Sequence, residues 1–138
     1  MKNTFSSIIA LLLLFGFYAC EEKNEAAEIE SKLAGTWQLS SAIIDGIETD
    51  ISVYPDFIRF QTNKIFLSYN STFNELIRGG WSYEGAMLNI STDLPAAYYV
   101  LRVDENYLSL KRNDFNTDGG LIATVRNYQR TEDSQILE

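Results

Sequence analysis

Apolar and polar side chains alternate in short runs along most of the chain after residue 35, and turn-forming residues separate the runs. A period of two puts successive side chains on opposite faces of an extended strand, so each run predicts a strand with one apolar face. The predicted strands cover residues 37–43, 55–60, 64–69, a longer run ending at 83, and then 87–90, 96–103, 107–111 and 121–128. No long segment has helical spacing, although residues 26–33 could form a short helix or turn before the first strand.

The lengths of the connections predict how these eight strands are arranged. Connections 62–63, 84–85 and 104–106 are tight turns, whereas the others are longer. Alternate connections of an up-and-down meander lie at the same end, so one end is closed by hairpins and the other carries long loops. The apolar face must be covered, and closure also removes exposed strand edges. We therefore predict an all-β domain, an eight-stranded antiparallel up-and-down barrel.

Three short motifs resemble those of a known family. Gly35-Thr36-Trp37 at the start of the first strand matches the Gly-x-Trp signature of lipocalins, and Gly79-Gly80-Trp81 looks like the second copy that small bacterial relatives often carry. The chain also finishes its last strand on an aromatic and then a basic residue, Tyr128-Gln129-Arg130. Residues 35–130 thus resemble the lipocalin-like domain of bacterial lipoproteins, which implies a lipocalin-like barrel.

The resemblance also implies how one end of the barrel is closed. In lipocalins a basic residue packs over the tryptophan of the first motif. Because the last strand runs antiparallel to the first, Arg126 and Arg130 lie near the end that holds Trp37, and we favour Arg130 for this contact. We interpret Gly35, Trp37 and Arg130 as a structural barrel floor and not as a ligand site.

The N-terminal residues predict export. Lys2 precedes an uncharged run at residues 8–19, which is too short to span a bilayer but suits a signal peptide. Phe17-Tyr18-Ala19 followed by Cys20 resembles the lipobox of bacterial lipoproteins, in which the peptidase cuts before the cysteine and the cysteine carries the lipid. We predict a lipoprotein signal peptide at 1–19 and lipid attachment at Cys20. The alternative is a secreted protein with a free cysteine.

The predicted domain organisation follows from charge. Residues 20–33 are acidic and predict a solvated tether, residues 34–131 form the barrel domain, and residues 132–138 form a polar tail. We expect a monomer that is lipid-anchored in the bacterial cell envelope, at the outer membrane. An acidic stretch behind the lipidated cysteine also resembles a signal for surface display, although an ordinary linker fits equally well.

The barrel interior is the first candidate site. If Trp37 points inward, alternation predicts a ligand-binding upper interior of Ile43, Ile58, Tyr69, Phe73, Ile90, Tyr99 and Leu110. The lower interior would contain Phe60, Ile65, Trp81, Tyr83, Leu88, Val103 and Leu108. These residues would form a pocket for a small apolar ligand that opens between the long loops. Alternatively they fill the barrel, whose loops would then bind another envelope protein.

The net charge of −8 comes from 19 acidic and 11 basic residues, and much of it lies at the chain ends. A chain without clustered Lys and Arg is not expected to bind nucleic acid. The long loops collect Asp residues, which predicts a negative mouth that favours neutral or cationic guests over carboxylates. The alternative is that these Asp residues only stabilise turns.

Metal binding and catalysis were the remaining possibilities. Asp114, Asn116 and Asp118, followed by Gly119, fit the first half of a calcium loop, but Val125 occupies the position of the bidentate Glu. A plain hairpin loop explains the same residues. The chain has no His and one Cys, which removes the usual general base and most nucleophile pairings. We expect no enzymatic activity and no cofactor other than this possible Ca²⁺.

Overall fold

The computed structural model describes residues 24–136, which contain a helix, nine strands and a short terminal turn of helix. The helix, α1, covers residues 24–33 of this range. The strands are β1 (Gly35–Ile44), β2 (Ile47–Thr49), β3 (Phe57–Phe60), β4 (Ile65–Asn70), β5 (Glu75–Glu84), β6 (Met87–Ser91), β7 (Ala96–Val103), β8 (Tyr107–Phe115) and β9 (Leu121–Thr131). A 3₁₀ helix, η1 (Asp133–Gln135), follows β9.

Eight of these strands form a closed antiparallel barrel. Each strand from β3 to β8 pairs with the next one along the chain, and β1 pairs with both β3 and β9. The closing ladder runs from Thr36 opposite Thr131 to Ile44 opposite Thr124. The prediction of an eight-stranded up-and-down barrel is therefore confirmed.

The ninth strand, β2, was not predicted. It lies in the connection expected to be an irregular polar loop and pairs with the last residues of β1. Asp45 and Gly46 both have positive φ angles, 48° and 82°, which is what a tight two-residue hairpin needs. The Asp45 carboxylate also accepts a hydrogen bond from the Ala123 amide of β9. This hairpin therefore extends the barrel wall above β1 rather than leaving a free loop.

The two ends of the barrel differ as the connection lengths predict. We call the end with Trp37 and the short turns 61–64, 85–86 and 104–106 the closed end. The opposite, open end carries the connections 45–56, 71–74, 92–95 and 116–120. In the described range, no helix has the length and apolar content needed to cross a bilayer.

Helix α1 packs on the closed end, so the prediction of a solvated tether is wrong for residues 24–33. Leu33 is completely buried, and Ala26 and Ile29 pack against the core. The three side chains lie on one face of a helix because their spacing is three and four residues, and Glu25 and Glu28 are exposed. The Trp37 indole N–H donates to the Leu33 carbonyl at 2.9 Å. Residues 20–23 of the predicted tether, and the signal peptide, lie outside the described residues.

The polar tail predicted for residues 132–138 is also part of the folded domain as far as residue 136. Ile136 is only 3% exposed. The buried Thr36 hydroxyl donates to the Asp133 carboxylate at 2.7 Å, and a buried hydroxyl needs such an acceptor. One apolar and one acidic residue of the segment therefore pack on β1, and residues 137–138 lie outside the described range.

Candidate functional site

The open half of the barrel contains a cavity of about 150 Å³, which we call the barrel cavity. Its wall is mainly apolar and includes Pro55, Ile58, Phe66, Ile77, Ile90 and Leu110. Polar groups also reach it, from Ser68, Thr92, Tyr98, Arg112, Arg126 and Tyr128. The cavity extends to the surface beside the 92–95 connection, where Leu94 is 85% exposed. The interior is therefore partly filled and retains space for a small guest.

Three of the residues predicted to line the upper interior do so. Ile58 on β3, Ile90 on β6 and Leu110 on β8 are all buried, and each forms part of the cavity wall. They come from strands on different sides of the barrel, so the cavity is enclosed by side chains that alternation alone was able to place.

Two predicted lining residues are wrong because β-bulges shift the alternation. The ladder of β1 with β9 is irregular between Leu39 and Ser41, so Ala42 is fully buried and Ile43 is not part of the cavity wall. The ladder of β7 with β8 is irregular between Val100 and Arg102, so Tyr98 is 7% exposed and Tyr99 is 47% exposed. One extra residue in a strand exchanges its inner and outer faces beyond that point.

Tyr69 and Phe73 were also predicted wrongly. Residues 65–67 are all apolar, so alternation does not decide which face of β4 points inward. Ser68 lies opposite Ile58 and lines the cavity, whereas the Tyr69 hydroxyl donates to the Asn74 side chain at 3.1 Å on the surface. Phe73 lies in the 71–74 connection and is 65% exposed.

Below the cavity, the barrel is filled by large side chains. Five predicted residues are buried there: Phe60, Trp81, Tyr83, Leu88 and Leu108. Val103 is partly buried and packs against them. Ile65 was assigned to this group wrongly, because Phe66 is the buried inward residue and lies 5.3 Å from the ring centre of Phe60. The interior of the closed half therefore has a packed core.

The predicted floor residues are in contact at the closed end. The Arg130 guanidinium carbon lies 4.1 Å from the centre of the Trp37 ring. Its Nε donates to the Glu105 carbonyl at 2.6 Å, and its two terminal nitrogens donate to the carbonyls of Ala34 at 2.9 Å and Lys32 at 2.6 Å. A side chain at Gly35, whose φ is 134°, would overlap with Arg130. Arg130 thus joins α1, β1 and the 104–106 turn.

A second arginine on the same face of β9 has a different environment. The Arg126 guanidinium carbon lies 4.5 Å from the ring centre of Tyr54 and 5.8 Å from that of Tyr98. Its Nε is buried and has no hydrogen-bond partner among the described residues. No Asp or Glu lines the cavity within residues 24–136. Arg126 is therefore a half-buried cation whose enclosed Nε has no acceptor, in a cavity without a described carboxylate.

The electrostatics of this site depend on the tyrosines. Burial disfavours the charged form of Arg126, but the surrounding tyrosine hydroxyls, led by Tyr128, raise the pKa above its ordinary value. Burial raises the pKa of Tyr128 itself to about 12, even though the neighbouring Arg126 opposes this shift. Arg126 is therefore charged and the Tyr128 phenol neutral at neutral pH.

From the sequence, Arg126 is only the second candidate for the contact with Trp37. The spacing of the two arginines could have placed Arg126 inside the barrel, because Arg126 and Arg130 are four residues apart in one strand. Side chains four residues apart lie on the same face of a strand, so an inward Arg130 predicts an inward Arg126. Tyr128 lies between the two on this face, and Arg126 is nearer to the open end.

The calcium-loop residues are occupied with other contacts. The Asp114 carboxylate accepts from Arg112 Nε at 2.7 Å, and the Asn116 side-chain oxygen accepts from the amides of Asp118 and Gly120. The described residues contain no group of three His, Cys, Asp or Glu side chains that could hold a metal ion. These contacts fit the plain hairpin loop.

Acidic residues of the open end also serve turns. The Asp50 carboxylate accepts from the Ser52 amide and hydroxyl, which lowers the pKa of Asp50. Asp56 accepts from the Ser71 amide. These contacts favour the explanation that Asp residues were selected for turn geometry, because their side-chain oxygens satisfy backbone amides there.

The fold and the cavity define a small closed β-barrel with an internal site at its open end. The family model for the lipocalin-like domain matches residues 33–110, more than half of the chain, and the chain belongs to this family. No curated protein matches the sequence.

Several solved structures are similar in fold. Bovine odorant-binding protein in complex with a selenium-containing odorant is 11% identical, with 77% of this chain and 76% of that chain covered and a TM-score of 0.48. A DUF4847 family protein from Bacteroides vulgatus is 16% identical, with 73% of this chain and 95% of that chain covered and a TM-score of 0.47.

Proposed function

We propose that this protein is a lipid-anchored lipoprotein of the bacterial cell envelope whose barrel binds a small, largely apolar ligand in the barrel cavity. The observation that supports binding is the cavity itself, which remains between apolar side chains while the closed half is packed. Membership of the lipocalin-like family agrees with a binding role.

The size of the cavity limits the ligand. A volume of about 150 Å³ matches an apolar cavity that holds one benzene molecule. Pockets for drug-sized molecules are larger, about 300–1,000 Å³. We therefore propose a guest with one ring or a chain of about six carbon atoms.

Binding is tested with a matched pair of substitutions on β7. Ala96 lines the cavity, and its neighbour Ala97 is exposed. Ala96→Phe would place a phenyl ring in the space for the guest, whereas Ala97→Phe would not. We expect calorimetric titration of the full chain with hexanamide to give binding heat for the unchanged protein and for Ala97→Phe, and none for Ala96→Phe. Binding that survives Ala96→Phe would contradict a site in the cavity.

The anchor is proposed from the sequence at Cys20 and is supported by the position of α1. This helix leads into the barrel at the closed end, so a tether before it would leave the open end unobstructed. Several acyl chains would hold the protein stably, whereas one chain would bind only marginally. Cys20→Ser should abolish incorporation of labelled palmitate in the bacterial host. Labelling that persists in this variant would contradict the anchor.

A second function is favoured by the apolar side chains of the open-end loops. Val53, Phe73, Leu94 and Phe115 are exposed and lie in or beside four different connections. Exposed apolar residues gathered at one end are typical of a protein interface. In this case the loops bind another envelope protein. Cross-linking of the anchored protein should then lose its product in a Phe73→Ser, Phe115→Ser variant and keep it in Leu101→Ser on the barrel wall. A product that is unchanged in the loop variant would count against this function.

A further inference from the structure

We infer that the guest of the barrel cavity carries a carboxylate that binds the Arg126 guanidinium while its apolar part lies against the cavity wall. This inference rests on the proposed function and assigns the chemical class of the ligand. It reverses the expectation, drawn from the acidic loops, that carboxylates are disfavoured.

The Arg126 guanidinium has an N–H donor, at Nε, whose hydrogen-bonding capacity is not met. A guanidinium has five N–H donors, and a buried donor without an acceptor is costly. The rings of Tyr54 and Tyr98 stabilise the cation through their faces, but ring faces do not replace an oxygen acceptor for Nε. An oxygen atom from a guest would satisfy this donor.

The positive charge of Arg126 also lacks a partner in the cavity. Two arginines reach the cavity, but Arg112 is already paired with Asp114. Within residues 24–136, Arg126 lines the cavity without a carboxylate partner. Buried charges in proteins are normally paired, because an isolated charge loses its hydration. An anionic guest would supply the missing counter-ion.

The acidic loops of the open end do not prevent a carboxylate from binding. Their carboxylates are exposed, and charges in water are screened within about 10 Å at ordinary salt concentrations. Arg126 acts inside the barrel, where the lower dielectric strengthens a short charge–charge contact. The interior charge therefore decides which guest is bound.

The test compares two probes of nearly equal shape on the full chain, purified in a non-ionic detergent. Hexanoate and hexanamide have the same chain and differ in the charge of the head group. Because charge-assisted hydrogen bonds are stronger than neutral ones, we expect hexanoate to bind about ten- to a hundredfold more tightly at pH 7. This comparison needs no variant, so it does not depend on the folding of a mutant.

Two variants then locate the effect. Arg126→Met should remove the advantage of hexanoate and leave hexanamide binding unchanged. Arg78→Gln, at an exposed position of β5, should leave the affinities for both probes unchanged. If hexanamide binds and hexanoate binds no more tightly, the carboxylate inference is overturned and the proposed function stands. If neither probe binds, both are overturned.

Discussion

Arg130 and Arg126 lie on the same face of β9 with Tyr128 between them, and they differ in whether their N–H donors have acceptors. Arg130 stacks on Trp37 and donates to three backbone carbonyls from separate parts of the chain. Arg126 lies between aromatic rings, and its buried Nε has no acceptor among the described residues. The first arginine completes the closed end, whereas the second leaves the open end chemically incomplete. The difference separates a structural contact from a binding site.

The largest expected effect breaks the closed end. Trp37 is fully buried beneath Arg130, so Trp37→Ala removes a large side chain from a packed layer. We expect a loss of about 3–5 kcal/mol in the free energy of unfolding. Urea denaturation followed by circular dichroism measures it. A loss below about 1 kcal/mol would show that the floor contributes little, by comparison with ordinary core truncations.

The next effect concerns alkaline pH. The Tyr128 phenol keeps its proton to about pH 12 in the folded protein, while an unfolded tyrosine loses it near 10. Between these values the folded state holds more protons, so stability should fall as the pH rises, by about 2–3 kcal/mol in total. Urea denaturation at pH 8 and pH 11 should show about half of this loss, because pH 11 lies midway between the two pKa values. Tyr128→Phe should make it smaller, and an unchanged pH dependence would contradict the assignment to Tyr128.

The two arginines should respond differently to the same substitution. Arg130→Met leaves the carbonyls of Glu105, Ala34 and Lys32 without their donor, and we expect a loss of about 2 kcal/mol in unfolding free energy. Thermal and urea unfolding measure it. Stability equal to that of the unchanged protein would show that the three hydrogen bonds are not needed for closure.

The smallest expected effect has the opposite sign. Arg126→Met replaces a half-buried charge with an apolar side chain of similar length, and such replacements of enclosed charges are often neutral or stabilising. We expect an unfolding free energy equal to that of the unchanged protein or higher by up to about 1 kcal/mol. A decrease of more than about 1 kcal/mol would show that Arg126 is a structural residue like Arg130, and the comparison between them would fail.

Local sequence patterns predicted the strand order and the two unlike ends. These features follow from alternation and turn lengths, which are visible within a few neighbouring residues. The contact of Arg130 with Trp37 was implied by the resemblance to lipocalins. The packing of α1 and of Ile136 was not predicted, because residues 20–33 and 132–138 are mostly polar or charged on average. The average composition hides single apolar side chains. Leu33 shows that one well-placed apolar side chain can attach such a segment to the core.

The cavity wall was predicted only in part. Ile58, Ile90 and Leu110 follow simple alternation, but Tyr98 takes the place of Tyr99 in the wall because a bulge interrupts the ladder of β7 with β8. A bulge in β1 likewise buries Ala42 in place of Ile43, and neither residue lines the cavity. A bulge forms where two partner strands differ in local length, and neither strand contains that information alone.

The amino-acid sequence by itself determined that this chain forms an antiparallel meander, because alternation and turn lengths depend on short-range spacing. The tryptophan floor was implied by the resemblance of its motifs to those of lipocalins. Only the tertiary structure decided which face of each strand lines the cavity, how much space remains inside, and which arginine lacks an acceptor. These properties depend on strand register and on distances between side chains that are far apart in the sequence, and closure of the barrel determines both.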